Sequence, residues 1–313
     1  MWLLAIKTHK KRLAMKNKIL SLFICLIQIT FARNNNQFVV VVSSYNNEKW
    51  CEKNLDSIFN QNYENFKLIY INDGSSDNTN FLVKKYLAEH KIKMQEVLIA
   101  DNSLNAMNNT INKICANFDA KCIYVNNLIN KGSQLANTYA AIHACPDSSI
   151  IVDVDGDDQL ANNSVLSYLN DIYNENNVWL TYGSFVRSSG KKHCLCKPLP
   201  SFVVTNRSYR KYLWASSHLK TYKAFLFKAI CLQDLMYEKQ FISAAVDHAI
   251  MLPMLEMAGD KFKHITKILY LYNDTNTQRI SAKKRYKQRF FNALVRQKLM
   301  YNELHIDVAA AIQ

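Results

Sequence analysis

Ser149-Ile150-Ile151-Val152-Asp153-Val154-Asp155-Gly156-Asp157-Asp158 is the stretch on which the fold turns. Ser149 to Val154 is mainly β-branched, with Asp153 the acidic exception, as in a central strand covered on both faces of a sheet. The next four residues hold three Asp and a Gly. An acidic surface turn has the same composition, because Asp and Gly are ordinary turn residues. Position separates the two readings: ligands of open α/β sheets sit outside the carboxyl ends of the strands. Carboxylates crowded there repel one another unless a cation sits among them. Their hard oxygens suit Mg²⁺ or Mn²⁺, which would in turn hold phosphate.

The same pattern recurs towards the N-terminus. Phe38 to Val42 is a continuous apolar run, read as a buried parallel strand ending in Ser43-Ser44-Tyr45-Asn46. Trp50, Leu55, Ile58 and Phe59 then recur at helical spacing, with Asn46 or Asn47 as the cap and Glu48 and Glu52 near the positive end of the dipole. Lys67 to Ile71 is a second strand, Asn72-Asp73-Gly74-Ser75 its terminal loop, and Thr79 to His90 a second helix. Weaker signals place a strand near Val97 to Ala100 and an Asn-rich helix near Ala106 to Phe118. Cys122 to Asn126 and Gly132 to Ala144 add a strand and a helix, with Leu135, Tyr139 and Ile142 facing the core. Strands alternating with helices predict an α/β fold, a doubly wound and mostly parallel sheet flanked by helices.

Composition bounds the function. The 313 residues are 49% hydrophobic and 20% charged, globular values that argue against disorder. The formal charge of +14 keeps nucleic acid, anionic membrane and a phosphorylated substrate in view. Much of it lies at the two ends, and no nucleic-acid module accompanies it, so a genome-binding role is not expected. Lys7, Lys10, Lys11, Arg12, Lys16 and Lys18 precede the apolar run Ile19 to Phe31, and Thr30-Phe31-Ala32 resembles a cleavage site. Residues 1–32 therefore read as a secretory signal peptide or an uncleaved signal anchor, with a buried N-terminal helix as the plainer alternative. Membrane association or entry into a secretory pathway is the corresponding expectation. The eight cysteines are scattered, and Cys194 and Cys196 lack a second pair, which excludes a disulfide framework or a structural zinc site from the reading.

Four pieces then coincide: Ser43-Ser44-Tyr45-Asn46, Asn72-Asp73-Gly74-Ser75-Ser76-Asp77-Asn78-Thr79, Asp155-Gly156-Asp157-Asp158, and a later acidic residue, Asp247, before a helix. Their order over roughly residues 37 to 260 resembles the family 2 glycosyltransferases of GT-A fold. Ser43 stands where many members have Pro, and Asn72 replaces the first Asp of a frequent Asp-Asp-Gly-Ser. The resemblance implies that Tyr45 lies against a uracil ring and Asp73 accepts its N–H. The plainer roles are a core Tyr and an N-capping Asp. It also implies that Ser44 borders the donor and that Asp155 and Asp157 hold ribose and metal, with Asp157 and Asp158 as the metal ligands. The implied cofactor is Mn²⁺ or Mg²⁺, and the implied donor a nucleotide sugar, most readily a UDP-sugar.

In the second half, Val178 to Ser184 reads as another strand. Trp214-Ala215-Ser216-Ser217-His218-Leu219-Lys220-Thr221 mixes an aromatic, hydroxyls and a His, so Trp214 and His218 are placed on the side of the acceptor, a glycan, protein or lipid hydroxyl. Asp247 matches the family's catalytic base, which in an inverting transfer takes the acceptor's proton; the plainer role is a helix-dipole Asp. His248 is a metal ligand or merely its neighbour. The basic tail contains a helix from Ser281, and Arg279 and Lys283 are candidate clamps over the diphosphate; a solvated face or a membrane-surface contact are the other readings. The expected organisation is a domain over 33–275 and a basic helical extension over 276–313. Two further functions remain open: a nucleotidyltransferase, which also places Asp near metal and phosphate, and a non-catalytic sugar-nucleotide or glycan-binding module.

Overall fold

The structure, a computed structural model, describes residues 34–101, 103, 106–175, 177–190, 196–276 and 282–305. The signal or anchor at 1–32 lies outside the described residues, as do Arg279 and the side chain of Lys283. Among the described residues no helix is long and apolar enough to cross a membrane, and Cys51, Cys115, Cys122, Cys145, Cys196 and Cys231 are free thiols.

The first half alternates as the hydrophobic pattern predicts. Strands β1 (Phe38–Ser44), β2 (Phe66–Asp73), β3 (Met94–Ile99), β4 (Cys122–Asn127) and β5 (Ile150–Asp155) are interleaved with helices α1 (Cys51–Phe59), α2 (Thr79–Glu89), α3 (Met107–Cys115) and α4 (Gln134–His143). After the short β6 (Gln159–Leu160) come α5 (Val165–Glu175), β7 (Leu180–Arg187), β8 (Lys220–Lys223), the hairpin β9 (Met236–Tyr237) and β10 (Gln240–Phe241), helix α6 (Val246–Ala258), β11 (Phe262–Tyr272) and helix α7 (Ala282–Gln297). Nine strands join in the order β3-β4-β2-β1-β5-β8-β7-β11-β6. The sheet is parallel from β3 to β5. Reversed β8 then pairs antiparallel with both β5 and β7, and β6 runs antiparallel at the far edge.

Period-two alternation explains the two-sided core. Val39 and Val41 pack with Ile69, Ile71 and residues of α3, α4 and α6; Val40 and Val42 pack with Leu68, Tyr70 and residues of α1, α2 and α5. Each valine buried this way stabilises the fold by about 1.5–3 kcal/mol in transfer terms, which is why an unbroken apolar run is a reliable sign of this strand type. β2 and β4 lie on one side of β1 and β5 on the other, so the chain reverses direction across the sheet between β1 and β5. A crevice opens there, outside the strand ends that carry Ser43–Tyr45 and Asp155–Asp158.

Two expectations change. Neither Asn46 nor Asn47 caps α1 with its side chain; Trp50 is the N-cap residue, and the Asn47 carbonyl accepts from Trp50 N and Cys51 N at 2.9 Å each. Asn46 instead sits at φ 53°, a conformation its short polar side chain tolerates. The end of the acceptor-side segment is not a surface: Lys220 and Thr221 belong to β8 inside the sheet, where the Thr221 hydroxyl bonds Thr181 at 2.6 Å and Tyr173 at 2.9 Å.

Candidate active site

β5 delivers Asp155 at its last position and the chain then turns through Gly156. The Gly156 N–H donates to Ser43 O at 3.1 Å, seating the turn against β1. A Cβ here would fall 2.6 Å from Ser44 Cβ, so only glycine fits. From α1, Asn54 Nδ2 donates to Asp155 O at 3.0 Å and Asp158 O at 2.7 Å, closing the turn.

The three carboxylates are braced separately. Asp155 Oδ1 accepts from Gln134 Nε2 at 2.8 Å, and Asp157 Oδ2 from Asn276 Nδ2 at 2.7 Å. Asp158 is fully buried; the Tyr270 hydroxyl donates to its Oδ2 at 2.9 Å and Asn273 N to its Oδ1 at 2.7 Å. The same hydroxyl accepts from Asp155 N at 3.1 Å. One oxygen from each of Asp155, Asp157 and Asp158 lies within 4.8 Å of the others, an all-oxygen donor set that suits a hard divalent cation. Asp155 and Asp157 line the cavity beside them, and the buried Asp158 carboxylate completes the oxygen cluster from behind.

That cavity, about 380 Å³, brings together Ser44, Tyr45, Asp73, Asp155 and Asp157, the five donor-side residues expected from the sequence. Tyr45 is 46% exposed, a rim residue rather than a core one. Asp73 is buried, and its Oδ1 accepts from Asn127 Nδ2 at 2.8 Å and Lys131 N at 3.1 Å, which aims the carboxylate rather than capping a helix. The loops that carry these two residues are tied together: Asn46 N donates to Ser75 Oγ at 3.0 Å and Asn47 N to Thr79 Oγ1 at 2.8 Å.

A second cavity of about 550 Å³ shares Gln134, Asp155, Ser243 and Lys284 with the first and holds Asp247, His218 and Tyr272. Asp247 lies in the first turn of α6, just after Ala245 at φ 55°, whose N–H donates to Gln288 Oε1 at 2.8 Å. Its side chain is 32% exposed and forms an ion pair with Lys220. Lys220 is 2% exposed and also contacts Asp153 Oδ2 at 3.1 Å, its register partner on β5. Burial works against the charge on Asp247, but Lys220, His218 and His248 around it hold the carboxyl well below the usual carboxylate range. Lys220 likewise resists burial because Asp153, Asp247 and Asp155 hold its ammonium charged.

His218 is buried, stacks on Tyr270 with centroids 4.8 Å apart and borders the second cavity. Trp214 borders neither cavity; it stacks on His248 at 3.9 Å. Burial pushes His248 down to about 4, against the pull of Asp247. On the tail, Lys284 borders both cavities and Arg285 and Lys287 the second, immediately beside the expected Lys283.

A family model described as glycosyl transferase family 2 matches residues 39–211, more than half of the chain. The chain belongs to this family. Among curated relatives, an uncharacterized glycosyltransferase of Haemophilus influenzae is 50% identical over 66 residues, 21% of this chain and 19% of that protein. Glycosyltransferase GlyA of Streptococcus pneumoniae is 34% identical over 86 residues, 27% of this chain and 12% of GlyA. The chain thus matches under a fifth of either relative's length. S. aureus TarS 1–349, solved with UDP, superposes with a TM-score of 0.53 at 18% identity, covering 83% of this chain and 65% of TarS 1–349. Its complex with UDP-GlcNAc gives 0.55 at 18% identity, with 83% and 66% covered. At that identity the likeness concerns the fold, which is of GT-A type, a mostly parallel sheet flanked by helices.

Sequence reasoning missed several residues of this candidate site. Gln134, Tyr270 and Asn276 brace the carboxylates from elements distant in the chain, and no local pattern marks them. Lys220 did leave a signal. Asp153, a carboxylate inside an apolar strand, calls for a buried cation or a hydrogen-bonding partner.

Proposed function

We propose that the protein is a metal-assisted, inverting glycosyltransferase that moves a sugar from a UDP-sugar to a hydroxyl of a glycan, protein or lipid acceptor. The observation that carries this reading is the continuity of the two cavities: the oxygen cluster and Asp247 face one space, joined at Gln134, Asp155 and Ser243. In this reading the exposed Tyr45 ring offers a flat apolar face to uracil. Asp73, held through Oδ1, presents its carboxylate to the uracil N–H. Asp155 and Asp157 border the ribose and diphosphate. Mn²⁺ or Mg²⁺, held by Asp155, Asp157 and Asp158, would supply Lewis-acid neutralisation of the departing nucleoside diphosphate. Asp247 receives the proton of the acceptor hydroxyl as that oxygen bonds the anomeric carbon and the bond to the diphosphate oxygen breaks on the opposite face. A weak base suffices there, since the attacking oxygen becomes strongly acidic as its new bond forms.

Calorimetry with UDP and Mn²⁺ tests the reading: binding of UDP that disappears with EDTA is the expected result. Absence of metal-dependent binding for both UDP and GDP refutes it. Release of pyrophosphate instead of nucleoside diphosphate would identify a nucleotidyltransferase. For location, we propose membrane association or entry into a secretory pathway, supported by the basic stretch before Ile19 to Phe31. Fractionation with N-terminal sequencing decides it, an intact Met1 on freely soluble cytosolic protein being the adverse outcome.

A further inference from the structure

Resting on the reading of Asp247 as the base, we infer that Lys220 is the positioning residue that fixes this carboxylate relative to the donor cluster, with Asp153 as its partner inside the sheet. Three elements meet at one ammonium. Asp153 is on β5, two residues before the strand delivers Asp155; Lys220 lies opposite it on β8; Asp247 opens α6. The ion pairs therefore link the strand that ends in the donor cluster to the helix that carries the base.

Lys220 has two carboxylate partners, and they differ in kind: Asp153 is buried, whereas Asp247 is one-third exposed on the cavity wall. That asymmetry has a positional use: Asp153 holds the ammonium from inside the sheet, and the ammonium holds the Asp247 carboxylate at the cavity wall. Lys220 touches no substrate in this scheme; it acts through Asp247.

The test compares the wild type with Lys220→Met and with the charge-balanced Asp153→Asn/Lys220→Met. The single variant leaves Asp153 unpaired in the sheet and is expected to be poorly folded; the double variant removes both buried charges and keeps the fold. For the double variant we expect unchanged UDP–Mn²⁺ affinity by calorimetry, and an unchanged KM for UDP-glucose or UDP-GlcNAc. Its kcat for UDP release should fall by roughly 10²-fold, the scale of loss from an ~1 Å misplacement of a reacting group. A crystal structure of the double variant should show the Asp247 carboxylate displaced from its wild-type position. Wild-type kcat, or an Asp247 that has not moved, overturns the inference. A wild-type protein that neither binds UDP nor releases it from either sugar nucleotide counts against the transferase reading instead, and the crystallographic comparison still decides the role of Lys220.

Discussion

Gly156→Ala puts the joint between fold and site under a defined load. The added Cβ would lie 2.6 Å from Ser44 Cβ and 2.7 Å from both Ser44 Oγ and Asn47 Nδ2. Carbon atoms in contact prefer about 3.5–4.0 Å, so a separation of roughly 1 Å must open. Ser44 cannot retreat, because β1 is paired with β2 on one side and β5 on the other, and the Asn47 backbone is tied to Thr79. The Asp155–Asp158 turn must move instead, straining the two Asn54 hydrogen bonds that close it. Overpacking and those bonds together give a destabilisation of about 2–4 kcal/mol. In a domain of this size that corresponds to a Tm lower by roughly 3–7 °C. Because the displaced turn carries the oxygen cluster, UDP–Mn²⁺ affinity should fall by at least about tenfold, or 1.4 kcal/mol. Thermal melting and calorimetry read the two effects independently. A variant that melts with the wild type and binds UDP–Mn²⁺ as tightly would refute the close approach on which both numbers depend.

Asp247→Asn should leave UDP–Mn²⁺ binding intact and reduce transfer by about 10²- to 10⁴-fold, the usual loss for a general base; full activity would remove Asp247 from that role. His248 makes the fold acid-sensitive: its folded value is about 4 against an ordinary 6.5, so as pH falls through this window the unfolded chain takes up the proton first. The stability lost is on the order of 3 kcal/mol, complete near pH 4, and His248→Phe, which can still stack on Trp214, should flatten urea-unfolding midpoints between pH 6.5 and 4. The depressed Asp247 carboxyl acts further into acid, its stabilisation being present above the ordinary carboxylate range and lost as pH falls through the lower folded value. Arg210→Ala strands the fully buried Glu256, which Arg210 grips through Nε at 2.6 Å and Nη2 at 2.8 Å, and should cost about 3–5 kcal/mol in urea unfolding, an unchanged midpoint being the contrary result.

What the sequence disclosed follows from how local each signal is. Parallel strands buried on both faces write themselves as unbroken apolar runs, and the loops at their ends are contiguous with them, so β1, β2 and β5 came with Tyr45, Asp73 and Asp155–Asp158 already attached. β8 was hidden because Lys220-Thr221-Tyr222-Lys223 reads as polar, although Lys220 and Thr221 are buried; the residue that explains them, Asp153, is far away in the chain. β11 carries Lys263, His264 and Lys267 and shifts register twice between Ile265 and Tyr270, which spoils the alternation that would mark it as a strand. α5 was legible in principle, since Val165, Leu166, Leu169, Ile172 and Tyr173 recur at helical spacing.

The basic tail shows why charge alone does not report exposure. Arg296, one of its cations, turns inward and donates to Arg210 O at 2.6 Å and Tyr212 O at 2.8 Å. Arg210 in turn donates to Val295 O at 2.7 Å, while Tyr301 N reaches the Glu256 carboxylate at 3.0 Å and Leu304 N the Met257 carbonyl at 2.9 Å. These bonds anchor the end of α7 to the segment around Arg210, and the chain after it to the C-terminal half of α6. Towards the start of α7, Gln288 holds the Ala245 N–H immediately before the Asp247 turn. The tail is therefore fastened to both ends of the helix that bears Asp247, and its Lys284, Arg285 and Lys287 are carried to the cavity wall by that attachment. Long cationic side chains allow this because their stems and heads can be satisfied by buried carbonyls as readily as by water.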